Sequence, residues 1–228
     1  MGGTDGSAAR RDQYHYGDLA KALKDAALAM IAADGVARFS LRDAASRLGV
    51  APSAAYRHFA DKSELLAAVA LDGFAALGAR WQALMAAQQA IAGADPAALA
   101  LARFSAGADA YFYFAKENPA LFELMYGPFG TGERGRCRLD ETEASDPYAM
   151  LARALDDLCA TNIITAAARA GAEVKAYAAI HGISCLVVAG VFRDFSDAQV
   201  AAQLTLVKDH ILAGLLAGPK ESWTLPCG

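Results

Sequence analysis

An all-α fold of about nine helices is what this sequence predicts, on three observations. Much of its 55% hydrophobic content is Ala, the residue that favours helix most strongly. Apolar residues recur at three- and four-residue spacing along most of the chain. Cap and breaker residues, among them Ser40, Asp95-Pro96, Asn118-Pro119, Asp146-Pro147 and Ser196, cut that pattern into segments of helical length. No β-alternation of useful length and no internal repeat competes with it.

Length and charge bound the rest. A chain of 228 residues can bury a sizeable core in one or two domains. Its mean hydropathy of +0.22 is high. Even so, no uninterrupted apolar run reaches the ~20 residues of a membrane span; Ala176–Val191 contains His181. No charged-then-apolar leader opens the chain, so a cytoplasmic location with no membrane partner is expected. Residues 1–13 read as a disordered arm. The formal net charge is −4, which argues against indiscriminate nucleic-acid binding. The charge is uneven: residues 1–62 hold nine Lys/Arg against seven Asp/Glu, and residues 63–228 hold twelve against eighteen. That asymmetry has the sign of an amino-terminal DNA module on an acidic body. Cys137, Cys159, Cys185 and Cys227 lack zinc-type spacing and read as reduced thiols, with redox sensing the minority reading. No metal and no cofactor is expected.

The first helix spans Asp18 to Ala33, with Leu19, Leu23, Ala26, Ala27, Met30 and Ile31 on one stripe and Asp34-Gly35 ending it. Ser40-Leu41-Arg42-Asp43 is a looser capping box for a second helix, apolar at Leu41, Ala44, Ala45 and Leu48. Gly49 suits a left-handed turn, Val50 plugs the core, and Pro52 opens a third helix. Asp61-x-x-Glu64 opens the fourth, which runs through Trp81 and ends before Gly93. Two short helices joined by a Gly-containing turn are a helix-turn-helix, whose second helix enters the DNA major groove.

The run Gly49-Val50, Tyr56-Arg57-His58-Phe59, Asp61-Lys62 and Leu65-Leu66 resembles the DNA-binding domain of the tetracycline-repressor (TetR) family. Tyr14-His15-Tyr16-Gly17-Asp18-Leu19 resembles the start of that family's first helix. The match covers residues 14–68; the Ser usual after Gly-Val is Ala51 here, which removes a common N-cap. The rest, residues 69–228, is then expected to bind ligand and dimerise.

In that body, helices are predicted from Pro96 to about Lys116, Ala120 to Tyr126, Pro147 to about Ala170, Glu173 to about Phe192, and from the capping box Ser196-x-x-Gln199 to about Ala217. Gly127–Ser145 reads as a mobile loop, either a solvated connector or a lid. Asn118–Tyr126 and Ile180-His181-Gly182-Ile183 resemble a TetR subgroup with a His-Gly motif, although Tyr177 stands where Trp is frequent.

Residue roles follow. Tyr56 holds the family's phosphate-contacting position. Lys62 sits at a helix start, where the dipole disfavours a cation; a phosphate contact explains it better than a structural role. His58 is a further phosphate candidate. Pro52, Ser53, Ala54 and Arg57 form the readout surface, with Arg57 able to grip guanine or phosphate. Ser40 and Arg42 sit where a helix start meets the DNA backbone. An inducer pocket is expected from Phe112, Phe114, Phe122, Met125, Tyr126, Tyr148, His181 and Cys185, suited to a small, largely apolar or aromatic molecule. Leu101, Phe104, Ala108 and Tyr111 read as ordinary core. Ile183, Val187 and Gly190, with Leu204, Val207, Ile211 and Leu215, read as a homodimer face. His181 and Cys185 have no third ligand at metal spacing, and no catalytic motif is present. The resemblance implies a homodimeric repressor that a small molecule releases from a double-stranded DNA operator. A regulator with no inducer is the alternative, and an enzyme on a helical fold a distant third.

Overall fold

The computed structural model describes residues 16–91, 95–131 and 146–218. The arm predicted for residues 1–13, Tyr14-His15, Cys137, Cys227 and most of the predicted 127–145 loop lie outside them. The described residues form eleven α-helices and one 3-10 turn, and no strand among them. They fall into two compact units, one of residues up to Gly73 with Pro119–Arg138, the other of Phe74–Asn118 with the residues from Leu139 on.

The first unit holds α1 (Tyr16–Asp34), the 3-10 turn (Val36–Arg38), α2 (Leu41–Arg47), α3 (Pro52–Ala55), the start of α4 (Lys62–Ile91), α6 (Pro119–Tyr126) and α7 (Pro128–Thr131). Its core follows the predicted stripes. Leu23, Ala27 and Ile31 of α1 are buried with Leu41, Ala44, Ala55, Phe59, Leu65 and Leu66. The predicted local chemistry is present. Ser40 caps α2, its hydroxyl accepting from the Asp43 N–H at 3.1 Å. Gly49 has φ 69°, and the Val50 N–H reaches back to the Ala45 carbonyl at 3.1 Å, which closes the end of α2. The Asp61 carboxylate accepts from the Glu64 N–H at 2.9 Å, and Glu64 accepts from the Ala60 N–H. α6 packs against α1. It also meets α4 at Gly73, where a Cβ would stand 2.6 Å from Met125 Sδ and 3.0 Å from Leu121. Only glycine lets the two helices come so close.

The second unit holds α4 from Phe74, α5 (Pro96–Glu117), α8 (Pro147–Ala160), α9 (Ala166–Arg169), α10 (Ala172–Val188) and α11 (Asp197–Ala217). α5 is central, packing on α8 and α10, and α10 packs on α11. Arg80–Glu117, Arg103–Asp157, Lys116–Asp197 and Lys208–Asp109 pairs tie these helices together. The Arg80 guanidinium holds the Glu117 carboxyl below its ordinary value.

Two helices are shorter than the sequence suggested. The Pro147 helix stops at Ala160 rather than Ala170. The Thr161 hydroxyl donates to the Asp157 and Leu158 carbonyls at 2.8 and 3.2 Å, Asn162 turns left-handed at φ 57°, and Thr165 caps a separate short helix. α10 ends at Val188 because Gly190 adopts φ 75° and the Val191 N–H bonds the Leu186 carbonyl at 3.0 Å. Gly190 therefore stops a helix. By length and composition alone, one helix among the described residues, α11, could cross a membrane. Lys208 and Asp209 interrupt its middle.

Gly73→Val should overpack the crossing of α4 and α6 and destabilise the fold by about 1–3 kcal/mol, read as a lowered urea midpoint. Adding Met125→Ala should recover part of the loss. An unchanged midpoint in Gly73→Val would show that the crossing is loose.

Candidate nucleic-acid interface and ligand cavity

α3, which Pro52 opens as expected, is only four residues long. Its chain continues as a tight turn, with the Arg57 N–H on the Ala54 carbonyl at 3.3 Å and the His58 N–H on the Ala55 carbonyl at 3.0 Å. Ala51 caps it without a side-chain bond, as the missing Ser foretold. The faces separate cleanly. Ala55 and Phe59 are buried, while Pro52, Ser53, Tyr56 and Arg57 are exposed and Ala54 and His58 half-buried. Tyr56 leaves 52% of its surface to solvent, an unusual position for a large aromatic with no ligand. Arg42 is exposed on α2, next to the Ser40 cap.

Lys62 corrects the sequence reading. Its ammonium donates to the Val36 carbonyl at 2.6 Å and the Phe39 carbonyl at 2.8 Å, and lies 5.7 Å from the centre of the Phe39 ring. The dipole argument weighed only the helix that Lys62 starts. The carbonyls that compensate it come from the turn before α2. Lys62 is a brace between α4 and that turn, and this is a structural role.

The second unit holds a half-open cavity of about 270 Å³. Trp81 of α4, Leu101, Phe104, Ser105, Gly107, Ala108 and Tyr111 of α5, Pro147 and Leu151 of α8, Ala176, Tyr177 and Ile180 of α10, and Lys208, Asp209, Ile211 and Leu212 of α11 line it. The stripe Leu101-Phe104-Ala108-Tyr111, expected to be plain core, is its main wall. None of the eight predicted ligand residues lines it. Phe112, Phe114, Phe122 and Met125 are buried. Phe122 stacks obliquely on Tyr126 at 4.7 Å within the first unit. Periodicity could not separate a helix face that meets a void from one that meets a neighbour.

Tyr148, His181 and Cys185 stand behind the wall. Tyr148 meets Tyr177 edge-on at 6.2 Å, and the His181 ring stacks on Tyr177 at 5.6 Å. His181 Nδ1 is 2.7 Å from the Tyr111 hydroxyl, and Nε2 is 3.4 Å from Cys185 Sγ. A neutral imidazole protonated on Nε2 fits both contacts, accepting from Tyr111 and donating toward sulfur. Burial holds the His181 pKa below its ordinary value and pushes the Cys185 thiol up. Among the described residues no group of His, Cys, Asp and Glu could hold a metal ion.

The predicted dimer stripe faces inward. Ile183, Leu204, Ile211 and Leu215 are buried in their own chain, and Val187 and Val207 are half-buried. The outward faces carry Leu186, Leu206 and Leu216 instead, with Leu206 63% exposed. Gly182 and Gly214 lie on the same faces, and a Cβ at either meets nothing within 4 Å.

Residues 23–69 match the family of bacterial regulatory proteins, tetR family, and residues 104–208 match the tetracyclin repressor-like C-terminal domain. Together the two matches span about two thirds of the chain. No curated protein matches. A solved protein of unknown function from Rhodococcus sp. RHA1 is 30% identical over 90% of this chain and all of its own, with a TM-score of 0.71. PfmR, a TetR family transcriptional regulator of Thermus thermophilus, is 19% identical over 85% of this chain and 98% of its own, with a TM-score of 0.59. SmeT, the repressor of the Stenotrophomonas maltophilia multidrug efflux pump SmeDEF, is 19% identical over 92% of this chain and 94% of its own, also with a TM-score of 0.59. SmeT has also been solved as a complex with triclosan.

Two predictions come from this geometry. Lys62→Met keeps the stem and removes the ammonium, so it should lower stability by about 1–3 kcal/mol, whereas Tyr56→Phe should leave stability unchanged. A Lys62→Met protein as stable as wild type would remove the brace. His181 gives a pH dependence. Its folded pKa lies below the unfolded value, so the unfolded chain takes up the proton first as pH falls. Its stabilisation is full above about pH 6.5 and is lost below it. Thermal denaturation from pH 7.5 to 5 should show that loss in wild type and a flatter profile in His181→Gln.

Proposed function

The chain belongs to the tetR family of bacterial regulatory proteins, and from that premise we propose that it is a ligand-responsive repressor, not an enzyme, acting in the cytoplasm as a homodimer on double-stranded DNA. One observation carries the reading. α4 is a single 30-residue helix whose first residue, Lys62, is bonded to the turn before α2 and whose Trp81 forms a wall of the cavity. A molecule that repositions Trp81 acts on the same helix that braces the DNA-reading elements.

In this reading α3 and the turn after it enter the major groove, with Tyr56 and His58 on phosphate and Pro52, Ser53, Ala54 and Arg57 toward the bases. Ser40 and Arg42 meet the backbone beside them, and Lys62 braces the start of α4 behind them. The exposed Leu186, Leu206 and Leu216 faces of α10 and α11 pair with those of a second copy, their small residues letting the helices approach. Occupying the cavity shifts α4, and the two heads no longer match two half-sites. This requires a ligand that binds the released form better than the DNA-bound form. His181-Gly182 marks the proposed subgroup, with His181 fixing Tyr111 and Tyr177 behind the cavity wall. The cavity favours this reading over a regulator without an inducer.

Selection of binding sites from random duplexes should return a two-fold symmetric sequence. Tyr56→Phe should then weaken binding to it roughly tenfold without changing the preferred sequence. Selection that returns no common sequence would contradict the reading. Leu206→Glu should yield a folded monomer by sedimentation that binds the symmetric site only weakly; a Leu206→Glu dimer would place the interface elsewhere.

A further inference from the structure

One hydroxyl on the cavity wall is uncommitted. Ser105 lies in the middle of α5, where a hydroxyl can turn back onto a carbonyl of its own helix. Ser184 does so, donating to the Ile180 carbonyl at 2.8 Å, and Thr205 donates to the Ala201 carbonyl at 3.1 Å. The Ser105 hydroxyl has no hydrogen-bond partner among the described residues, yet it is not sealed in the packing. Its residue is half-buried and lines the cavity. Leu101 and Ala108, four residues before it and three after, line the cavity too, so this side of α5 is the side that meets the void.

The other polar groups of the wall are placed less well for a ligand. The Trp81 indole N–H is buried and closed even to water, so Trp81 offers only its ring. The Tyr111 hydroxyl is 2.7 Å from His181 Nδ1, and His181 is not part of the lining. Tyr177 is held by its ring, stacked on His181 at 5.6 Å and edge-on to Tyr111 at 5.9 Å and Tyr148 at 6.2 Å. Its hydroxyl is the one rival to Ser105. The Lys208 ammonium is on Asp109 at 2.8 Å, and Asp209 adds an exposed carboxylate to the lining. Two carboxylates against one ammonium disfavour an anion, and water screens the exposed one. Asp109 stands one turn after Ser105 on α5, so Ser105 and the Lys208–Asp109 pair mark a polar corner in an aromatic and aliphatic wall.

Resting on the reading of this cavity as the ligand site, we propose that it takes a neutral, largely apolar molecule carrying one oxygen acceptor, such as a ketone, ester or ether, and that the Ser105 hydroxyl donates to that oxygen. Phe104, Tyr111, Tyr177 and Leu212 supply apolar surface for the rest of the molecule. Ser105 is then a specificity residue that separates molecules of equal shape by one oxygen.

Ser105→Ala tests this without disturbing the fold, since Ala is the stronger helix former and the hydroxyl has no protein partner to lose. Four probes of similar shape are offered to the full chain: 2-acetylnaphthalene, its hydrocarbon isostere 2-isopropenylnaphthalene, the anion 2-naphthoate and the cation 2-naphthylmethylammonium. Affinities are read by equilibrium dialysis. The ratio of ketone to hydrocarbon affinity should fall roughly tenfold in Ser105→Ala and should hold in Tyr177→Phe, and both ions should bind more weakly than the ketone. A ratio unchanged by Ser105→Ala, or one that falls as far in Tyr177→Phe, would overturn the Ser105 assignment while leaving the cavity as a ligand site. Either ion binding tightest would overturn the neutral class. No binding by any of the four would overturn the ligand-site reading itself.

Discussion

The ammonium of Lys62 determines where the long helix begins and what it is attached to. A cation at a helix start is unfavourable by itself, since the first turn already carries partial positive charge. Two carbonyls from the turn between α1 and α2 compensate it. The start of α4 is therefore tied to the same turn that leads into the Ser40 cap and α2. Whatever rotates α4 must either carry that turn with it or break two charge-assisted hydrogen bonds. Breaking such bonds is costly in a half-buried position.

The other end of α4 is held differently. Trp81 rests on the bare backbone of Gly107 and forms part of a pocket wall. In the proposed reading α4 couples the two sites, because its first residue is hydrogen-bonded to the turn before α2 and Trp81 lines the pocket. The energy needed is modest, about 1–3 kcal/mol for typical allosteric coupling.

Local chemistry made much of this legible in the sequence. Ser40, Gly49, Asp61 with Glu64, and the Ser196–Gln199 box announced their helix ends because each partner lies within five residues. The alternation of buried Ala55 and Phe59 with exposed Tyr56 and Arg57 was readable for the same reason. What depends on distant packing was not. The partners of Lys62 lie 23 and 26 residues upstream. The stripe from Leu101 to Tyr111 looks the same whether it faces a core or a void, and Gly107 under Trp81 helps to shape that void. α11 is apolar on more than one face, so spacing singled out Leu204 and Ile211, which its own chain buries, over Leu206 and Leu216. The run Ala166–Ala168 hid the break that Thr161 and Asn162 make before it.

In the proposed reading, occupancy of the cavity and grip on DNA are coupled through α4. Its most direct test is operator affinity measured while the Trp81 indole resonance reports saturation by the tightest cavity ligand found. Coupling predicts an operator affinity reduced roughly 5- to 150-fold, together with altered hydrogen exchange in the Val36–Phe39 turn. Full occupancy with unchanged operator affinity and unchanged exchange in that turn would contradict it.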